Sequence, residues 1–166
     1  MSENFRVISN VENQAEMVNY FIPLMSKMRT ENITQYGLTG RKTWDGIDYG
    51  EGKTRSGVRL TEWNIWRDDT LKSGWMLKFL DLFTDCDIGR IRIMRLGART
   101  CFSLHKDLTP RVHVPIVTTP ASLMIIENES RYLERGKIWW TNTTKLHTSV
   151  NTGESDRYHL LVEVSK

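Results

Sequence analysis

Two imidazoles, a carboxylate and a guanidinium lie within one short hydrophobic stretch of the chain, "CFSLHKDLTPRVHVPIV" (residues 101–117). His105 and Asp107 are two positions apart, so in an extended segment their side chains project from the same face. His147 follows about 40 residues later, in "KLHTSV". Two imidazoles and one carboxylate can occupy one face of an octahedron and leave three positions open on a metal such as Fe(II). The pattern therefore predicts a metal site of His105, Asp107 and His147.

The His-x-Asp pair alone is also compatible with a capped turn, in which Asp107 accepts hydrogen bonds from backbone amides near Thr109. The metal interpretation is favoured by the conjunction of this pair with His147 and with Arg157, which follows ten residues after His147.

Arg157 opens the run "RYHLLVEV", where it shares one face of an extended strand with His159 and Leu161. An unpaired guanidinium inside a small barrel is very costly. We expect no acidic residue on its face of the strand, since Glu163 stands at the far end of the run. A bound dicarboxylate is then expected to neutralise Arg157 through a bidentate pair. The alternative is an Arg157 that points outward into solvent.

Arg111 and His113 also share a strand face, on "RVHVPIV". We expect them to bind or orient the metal-proximal carboxylate of the same ligand. The alternative is that they form a hydrogen-bond network around the site.

The elements that would position these residues begin at residue 88, where the hydrophobic pattern takes a period of two. Short apolar runs separated by turn residues are typical of an antiparallel barrel or jelly roll. The runs are "IGRIRIMRL", "RVHVPIV", "ASLMIIE", "GKIWW", "KLHTSV" and "RYHLLVEV". We predict a mainly β fold with flanking N-terminal helices, namely a double-stranded β-helix of the cupin-like type.

Two helices are predicted before this region. Residues 9–29 begin with Ser9 and Glu12 at capping-box spacing, and Pro23 predicts a kink or a break. The predicted buried stripe consists of Val11, Ala15, Val18, Ile22 and Met25. A second helix is predicted over residues 70–83, although Gly74 weakens that pattern.

A long glycine-rich and charged segment, residues 31–60, separates the two helices. Loops of this length inside compact domains are often lids or binding loops, and this one has room for a short hairpin. Its aromatic and basic residues could line the mouth of the barrel, although aromatics more often pack in a core. The candidates for substrate contact are Trp44, Tyr49, Arg55 and the neighbouring Trp63.

Composition sets broad limits on the function. A chain of 166 residues with 39% hydrophobic and 26% charged residues fits one ordinary globular domain. A net charge of +3 gives no reason to expect nucleic acid or a membrane surface as a partner. The start "MSENFRVISN" has no apolar signal region, and the two cysteines, Cys86 and Cys101, are expected to be reduced thiols of a cytoplasmic protein.

The chain resembles the aspartyl/asparaginyl β-hydroxylase branch of the 2-oxoglutarate- and Fe(II)-dependent dioxygenases, which also includes free-proline hydroxylases. The resemblance covers residues 88–164, about half of the chain. The matching segments, in order, are "HKD", "RVHVPIVTTP", "ERGKIWWTN", "LHTSVN" and "RYHLLVEV".

The resemblance implies an iron site of His105, Asp107 and His147. It implies that Arg157 holds the distal carboxylate of 2-oxoglutarate, and that Arg111 and His113 serve the proximal one. Gly136 and Trp140 resemble the family's entry into a sheet strand, and Asn142 and Asn151 match positions that are often Asn, without an assigned role. The sequence departs from the family at Glu163, where Asp is common, and at Thr119, where Asn is more usual.

The implied reaction is hydroxylation of an unactivated C–H bond by O₂, coupled to conversion of 2-oxoglutarate into succinate and CO₂. Asp107 favours hydroxylation, because radical halogenases of this superfamily lack that ligand. The implied substrate is an amino acid, free or within a peptide or protein, and the oligomeric state is left open. We expect one domain over residues 1–166, with residues 1–87 as helical and loop support and 88–164 as the jelly-roll core. The competing hypotheses are a cupin-type metalloenzyme with another cosubstrate and a non-catalytic jelly-roll binding module.

Overall fold

The computed structural model describes residues 2–51 and 58–166. Its α-helices are α1 (Gln14–Thr30) and α2 (Trp75–Leu80). The first five strands are β1 (Phe5–Asn10), β2 (Gln35–Gly37), β3 (Thr39–Thr43), β4 (Gly46–Asp48) and β5 (Ile65–Trp66). The remaining strands are β6 (Ile88–Leu96), β7 (Thr100–Cys101), β8 (Arg111–Val117), β9 (Ser122–Ile126), β10 (Glu129–Arg131), β11 (Lys137–Thr141), β12 (His147–Asn151) and β13 (Arg157–Val164).

Two antiparallel sheets form the jelly roll, which confirms the predicted fold class. The large sheet has the strand order β1-β11-β8-β13-β6-β2, and the small sheet has the order β10-β9-β12-β7. Residues from both sheets line one cavity between them. A third, three-stranded sheet, β4-β3-β5, lies outside this pair in strand order.

The main hydrophobic core joins the two helices to one face of the large sheet. Alternate residues of β8 and β13, such as Val112, Val114, Leu160 and Val162, are buried in one cluster with Phe21 of α1. The opposite face of the same strands carries the polar residues. Because both faces are covered, β13 is buried along its whole length, and its sequence cannot alternate in the simple apolar-polar manner of a half-exposed strand.

The first predicted helix begins later than expected. Ser9 belongs to β1, and the N-cap is Asn13, whose Oδ1 accepts a hydrogen bond from the Glu16 amide at 3.1 Å. The helix then runs through Pro23 to Thr30 without ending. Packing of the buried stripe on both sides of the proline offsets the hydrogen bond that proline removes. That stripe consists of Met17, Phe21, Met25 and Met28, so of the predicted positions in the helix only Met25 belongs to it.

The second predicted helix is shorter than its periodicity suggested. Only Trp75–Leu80 is α-helical, with 3₁₀ turns at 69–71 and 81–83. Gly74 has a φ of +53° and stands at the N-cap, so the helix begins after it. A positive φ is readily adopted by glycine and terminates a regular helix.

The N-terminal part of the chain contributes strands to the large sheet. β1 pairs with β11 and β2 pairs with β6, so both are strands of the large sheet. The hairpin allowed for in residues 31–60 is present as β3 and β4. The predicted division at residue 87 therefore does not separate a support layer from the β core.

Neither cysteine forms a disulfide: Cys86 is half-buried and Cys101 is exposed. Within residues 2–51 and 58–166, no helix combines the length and the apolar character that crossing a bilayer requires.

Candidate active site

His105 and His147 are brought together by a short antiparallel pairing outside the main strands. The His105 amide donates to the His147 carbonyl at 3.0 Å, and the His147 amide donates back to the His105 carbonyl at 2.8 Å. Two residues further on, the Asp107 amide donates to the Thr143 carbonyl at 2.8 Å. Directly paired residues of antiparallel segments project their side chains to the same side. The local backbone thus places all three predicted ligands at one end of the cavity.

The side chains of His105, Asp107 and His147 converge. Each offers one ligand atom, and these atoms lie within 4.8 Å of one another. His147 Nε2 is 3.7 Å from Asp107 Oδ2. Two nitrogens and one oxygen at this spacing fit a divalent first-row metal with open positions for other ligands.

Backbone carbonyls orient both imidazoles toward the common centre. Nδ1 of His105 lies 2.6 Å from the Ser103 carbonyl, and Nδ1 of His147 lies 2.9 Å from the Lys145 carbonyl. A carbonyl can only accept, so Nδ1 carries the proton in both rings and Nε2 keeps its lone pair for a metal. Burial lowers the pKa of His147, which favours the neutral ring that a metal needs.

Asp107 is held by a buried network of charges. Arg111 Nη2 lies 3.3 Å from Asp107 Oδ1 and 3.1 Å from Glu163 Oε1. Arg90 Nε donates to the same Glu163 oxygen at 2.8 Å. Burial alone would raise the pKa of Glu163, but Arg111 and Arg90 hold it below its ordinary value. The carboxylate of Glu163 is therefore ionised and balances part of the arginine charge.

This network gives both terminal nitrogens of Arg111 acceptors within the protein. Its Nη1 also donates to the Thr109 carbonyl at 2.7 Å, whereas its Nε makes no hydrogen bond among the described residues. The expectation that no acidic residue shares the strand face of Arg157 is wrong. In the structure Glu163 faces the interior and binds Arg90 and Arg111, because positions 157, 159, 161 and 163 share one face of β13.

Arg157 lies in the same cavity and has no acidic partner among the described residues. Its side chain is buried, with 3% of its surface exposed, and its Nε makes no hydrogen bond. The guanidinium carbon stands 5.9 Å from the centre of the Phe102 ring. Burial lowers the pKa of Arg157 to about 10, which still leaves it charged at neutral pH. The predicted inward-facing arginine is present, and the solvated alternative is wrong.

The cavity between the sheets has a volume of about 250 Å³. The three metal-ligand candidates and Arg157 all line it. One small molecule in the cavity can therefore contact a bound metal and Arg157 together. Its other lining residues are Gln35, Arg92, Met94, Phe102, Ser103, Arg111, His113, Met124, Thr143, Ser149 and Leu161.

Arg92 is a cavity residue that the sequence reasoning missed. It is buried on β6 opposite Leu161, and its Nη1 donates to Gln35 Oε1 at 3.0 Å. Burial, together with the charges of Arg90 and Arg111, lowers the pKa of Arg92 to about 9. The signal was available in "IGRIRIMRL", where two arginines alternate with isoleucines in a run too apolar for a surface strand.

His113 lines the cavity as predicted, and behind it stands His159. The two Nδ1 atoms are 3.3 Å apart, and both Nε2 atoms are buried without a hydrogen-bond partner in the described chain. Burial, followed by the charge of Arg157, lowers the pKa of both rings well below that of a free histidine. Both imidazoles are therefore neutral.

The three substrate-contact candidates that the structure describes do not line the cavity. Trp44 is 97% exposed at the turn of the β3–β4 hairpin. Tyr49 packs under the Arg67 guanidinium at 3.9 Å, and Trp63 is buried beside Arg90. Arg55 lies outside the described residues. The hairpin directs the exposed aromatic outward, so composition alone was a poor guide to the cavity wall.

The two asparagines of the family-like segments have structural partners. Asn151 Nδ2 donates to the carbonyls of Gly97 and Ser155, at 3.1 and 2.8 Å, and so ties the turn before β13 to the end of β6. Asn142 Oδ1 accepts from the Thr144 hydroxyl in the turn before β12.

The predicted strand entry lies at β11. Gly136 precedes this strand with a φ of +85°, and its carbonyl accepts from the Val11 amide. Trp140 lies within β11, beneath the Arg6 guanidinium at 4.0 Å.

Comparison with known proteins identifies the family. The sequence profile described as aspartyl/asparaginyl beta-hydroxylase matches residues 75–166, more than half of the chain. That span contains all three metal-ligand candidates and Arg157. The curated protein sequences contain no match to this chain.

Two solved structures share the fold over almost the whole chain. One is the non-heme monooxygenase ThoJ in complex with nickel, at a TM-score of 0.57 and 13% identity, covering 98% of this chain and 74% of that one. The other is the viral collagen prolyl hydroxylase of Paramecium bursaria Chlorella virus-1 with 2-oxoglutarate, at a TM-score of 0.57 and 8% identity, covering 98% and 96%. At such low identity these likenesses describe the fold. The family match shows that the chain belongs to the aspartyl/asparaginyl β-hydroxylase family and is a hydroxylase.

Proposed function

We propose that this protein hydroxylates an unactivated C–H bond of an amino acid or aminoacyl residue, using Fe(II), 2-oxoglutarate and O₂ and releasing succinate and CO₂. One observation carries the proposal: the unpaired cation of Arg157 shares a small cavity with two histidines and a carboxylate. A dicarboxylate cosubstrate would link these two features, because one end can bind a metal while the other pairs with a guanidinium.

The metal would be held by His105, Asp107 and His147. Two nitrogen ligands and a carboxylate suit iron(II) better than a soft thiolate-seeking ion. Iron(II), together with O₂ and the cosubstrate, would supply the oxidising chemistry that no side chain can provide. The protein's own contribution is to fix the ligand geometry and to keep the cavity enclosed.

The cosubstrate would be oriented by the arginine and by His113. Arg157 would take the distal carboxylate in a charge-assisted pair, which offsets the cost of its burial. His113 would donate to the carboxylate next to the metal. Because Arg111 is occupied by Asp107 and Glu163, we assign it to orienting the metal ligand and not to the cosubstrate.

Charge balance supports a substrate that carries a carboxylate. Arg90 and Arg111 are balanced by Glu163 and Asp107, and the two charges of iron(II) would be balanced by the cosubstrate dianion. Arg92 and Arg157 still leave the cavity positive. The Gln35 oxygen near Arg92 is neutral, so Arg92 remains available to an anionic group. An amino acid with a free carboxylate or an acidic side chain meets that requirement.

The function is tested by product analysis under ¹⁸O₂. Purified protein with Fe(II), 2-oxoglutarate and mixed amino acids and peptides is expected to yield succinate and one product heavier by one ¹⁸O atom. In Arg92→Gln, the KM for a carboxylate substrate is expected to rise roughly tenfold, the loss of one charge-assisted hydrogen bond, while the KM for 2-oxoglutarate changes little. Iron binding without 2-oxoglutarate consumption would favour a cupin-type enzyme with another cosubstrate. Absence of iron binding would favour a non-catalytic binding module.

A further inference from the structure

His159 is a buried titratable residue that the proposed reaction does not use. It does not line the cavity, yet its Nδ1 faces the Nδ1 of His113 at 3.3 Å. Its own Nε2 has no partner in the described chain. A buried imidazole with one unused nitrogen is costly, because the polar atom has lost its contact with water.

The pair admits two arrangements of its protons. Each neutral ring carries one N–H, and two facing Nδ1 atoms form a hydrogen bond only when one of them is protonated. If His159 carries the proton at Nδ1, then His113 accepts it there and is protonated at Nε2. If His113 carries it, then the Nε2 of His113 is a bare lone pair, and His159 has its N–H at the buried and unpartnered Nε2.

The first arrangement is favoured on two grounds. Nδ1 and Nε2 lie on opposite edges of the ring, so the Nε2 edge of His113 faces away from His159, and a donor there would attract a carboxylate in the cavity. A lone pair in its place would repel it. With a carboxylate at His113, the first arrangement leaves only a lone pair of His159 unpaired, whereas the second leaves the buried Nε2–H of His159 without an acceptor, which folded proteins rarely tolerate.

We infer that His159 is a positioning residue: its Nδ1–H fixes His113 as the Nε2-protonated tautomer, so that His113 donates a hydrogen bond to the metal-proximal carboxylate of the cosubstrate. This inference rests on the proposed function for the identity of the ligand. Without a ligand, either arrangement leaves one buried Nε2–H unpartnered, so the tautomer is assigned to the protein with the carboxylate bound.

The tautomer can be read directly by long-range ¹H–¹⁵N NMR of the imidazole nitrogens. The ¹⁵N-labelled protein is loaded with diamagnetic Zn(II) and recorded with and without 2-oxoglutarate, and His113→Gln and His159→Asn assign the signals. With 2-oxoglutarate bound, we expect a protonated Nε2 in His113 and a protonated Nδ1 in His159. A protonated Nδ1 in His113 of the 2-oxoglutarate-bound protein overturns the inference.

Two substitutions separate positioning from packing. In His159→Asn, the side-chain amide places an N–H donor where Nδ1 stood, whereas His159→Leu fills the space without a donor. We expect the Kd for 2-oxoglutarate to rise roughly tenfold in His159→Leu and at most a few-fold in His159→Asn, with metal affinity unchanged in both.

The controls separate a failure of the His159 inference from a failure of the proposed function. Equal weakening in His159→Asn and His159→Leu, with the His113 tautomer unchanged, shows that His159 acts only through packing and contradicts the inference. Failure of the wild-type protein to bind 2-oxoglutarate at all contradicts the proposed function instead, whereas a wild-type protein that binds 2-oxoglutarate with His113 protonated at Nδ1 contradicts the inference alone.

Discussion

The guanidinium of Arg111 contacts the carboxylate of Asp107, with Nη2 3.3 Å from Oδ1. The same nitrogen lies 3.1 Å from Glu163, at the end of the last strand. A metal-ligand candidate in a loop is thereby tied to the most buried strand of the large sheet. Such supporting contacts decide whether a ligand set is preorganised or must be ordered by the metal.

Glu163→Ala is expected to lower the free energy of unfolding by about 3–5 kcal/mol, the usual cost of breaking a buried ion pair from one side. The reason is that Arg90 and Arg111 would lose their common partner in a buried environment. Denaturant unfolding with constant m-value measures the change. Glu154→Ala is the matched control, because the Glu154 side chain pairs with Arg99 but is 80% exposed. This substitution is expected to lower the free energy of unfolding by less than about 1 kcal/mol. Similar losses in both variants would show that the Glu163 network adds no stability.

Arg111→Met is expected to weaken metal binding by about 10- to 100-fold, as is typical when a residue that orients a ligand is lost. Asp107 would lose the cation that fixes its carboxylate. Isothermal titration with Mn(II), which is stable in air, measures the effect. Arg95→Met, which breaks an ion pair with Asp156 away from the cavity lining, serves as the control. Unchanged metal affinity in Arg111→Met would remove Arg111 from the site.

Arg157→Met is expected to have opposite effects on stability and on ligand binding. Removal of an unpaired buried cation should raise the unfolding free energy of the ligand-free protein by about 1 kcal/mol or more. The same change should weaken 2-oxoglutarate binding by roughly 30- to 100-fold, or about 2–3 kcal/mol. Thermal unfolding with and without 2-oxoglutarate gives both values. A destabilised ligand-free variant would mean that Arg157 contributes to folding as much as to binding.

Stability is expected to fall as the pH drops below about 6.5, the pKa of an unfolded histidine. His113 and His159 have lowered pKa values in the folded protein because they are buried. The unfolded chain therefore binds protons first on acidification. Each ring then lowers the free energy of unfolding by up to about 1.4 kcal/mol per pH unit. Above that pH neither state protonates these rings, so stability is flat with respect to them.

Denaturant titrations between pH 5 and 7 test this slope, since ordinary carboxyl groups stay ionised in that window. His113→Leu combined with His159→Leu is expected to flatten it. His105→Gln is the control, because His105 is exposed. A slope that persists in the double variant would assign the acid sensitivity to other groups, such as His147, whose pKa burial also lowers.

The sequence predicted the part of the site that depends on local spacing. His105 and Asp107 share a face because they are two residues apart in an extended segment, and Arg157 faces inward because it lies on a strand covered on both sides. The jelly roll followed from the period of two after residue 88. These features depend on nearest-neighbour geometry, which a sequence records directly.

The parts that the sequence did not predict depend on packing between distant segments. Arg92 reaches the cavity because β6 lies beside β13, and Arg111 turns to Asp107 and Glu163 because β8 lies on the other side of β13. The predicted helix stripe is out of phase, since Met17 and Phe21 face the core whereas Ile22 is exposed, and this phase depends on which side of the helix the sheet covers. The aromatic residues of the 31–60 segment could not be placed without knowing where their hairpin lies.

An anaerobic titration of Fe(II)-loaded protein with 2-oxoglutarate tests the central claim most directly. A metal chelate of this cosubstrate gives a weak visible charge-transfer band. The account predicts that the band forms in the wild-type protein, is lost in His105→Ala, and requires roughly 30- to 100-fold more 2-oxoglutarate in Arg157→Met. A wild-type protein that binds iron but shows no band at saturating 2-oxoglutarate would contradict the account.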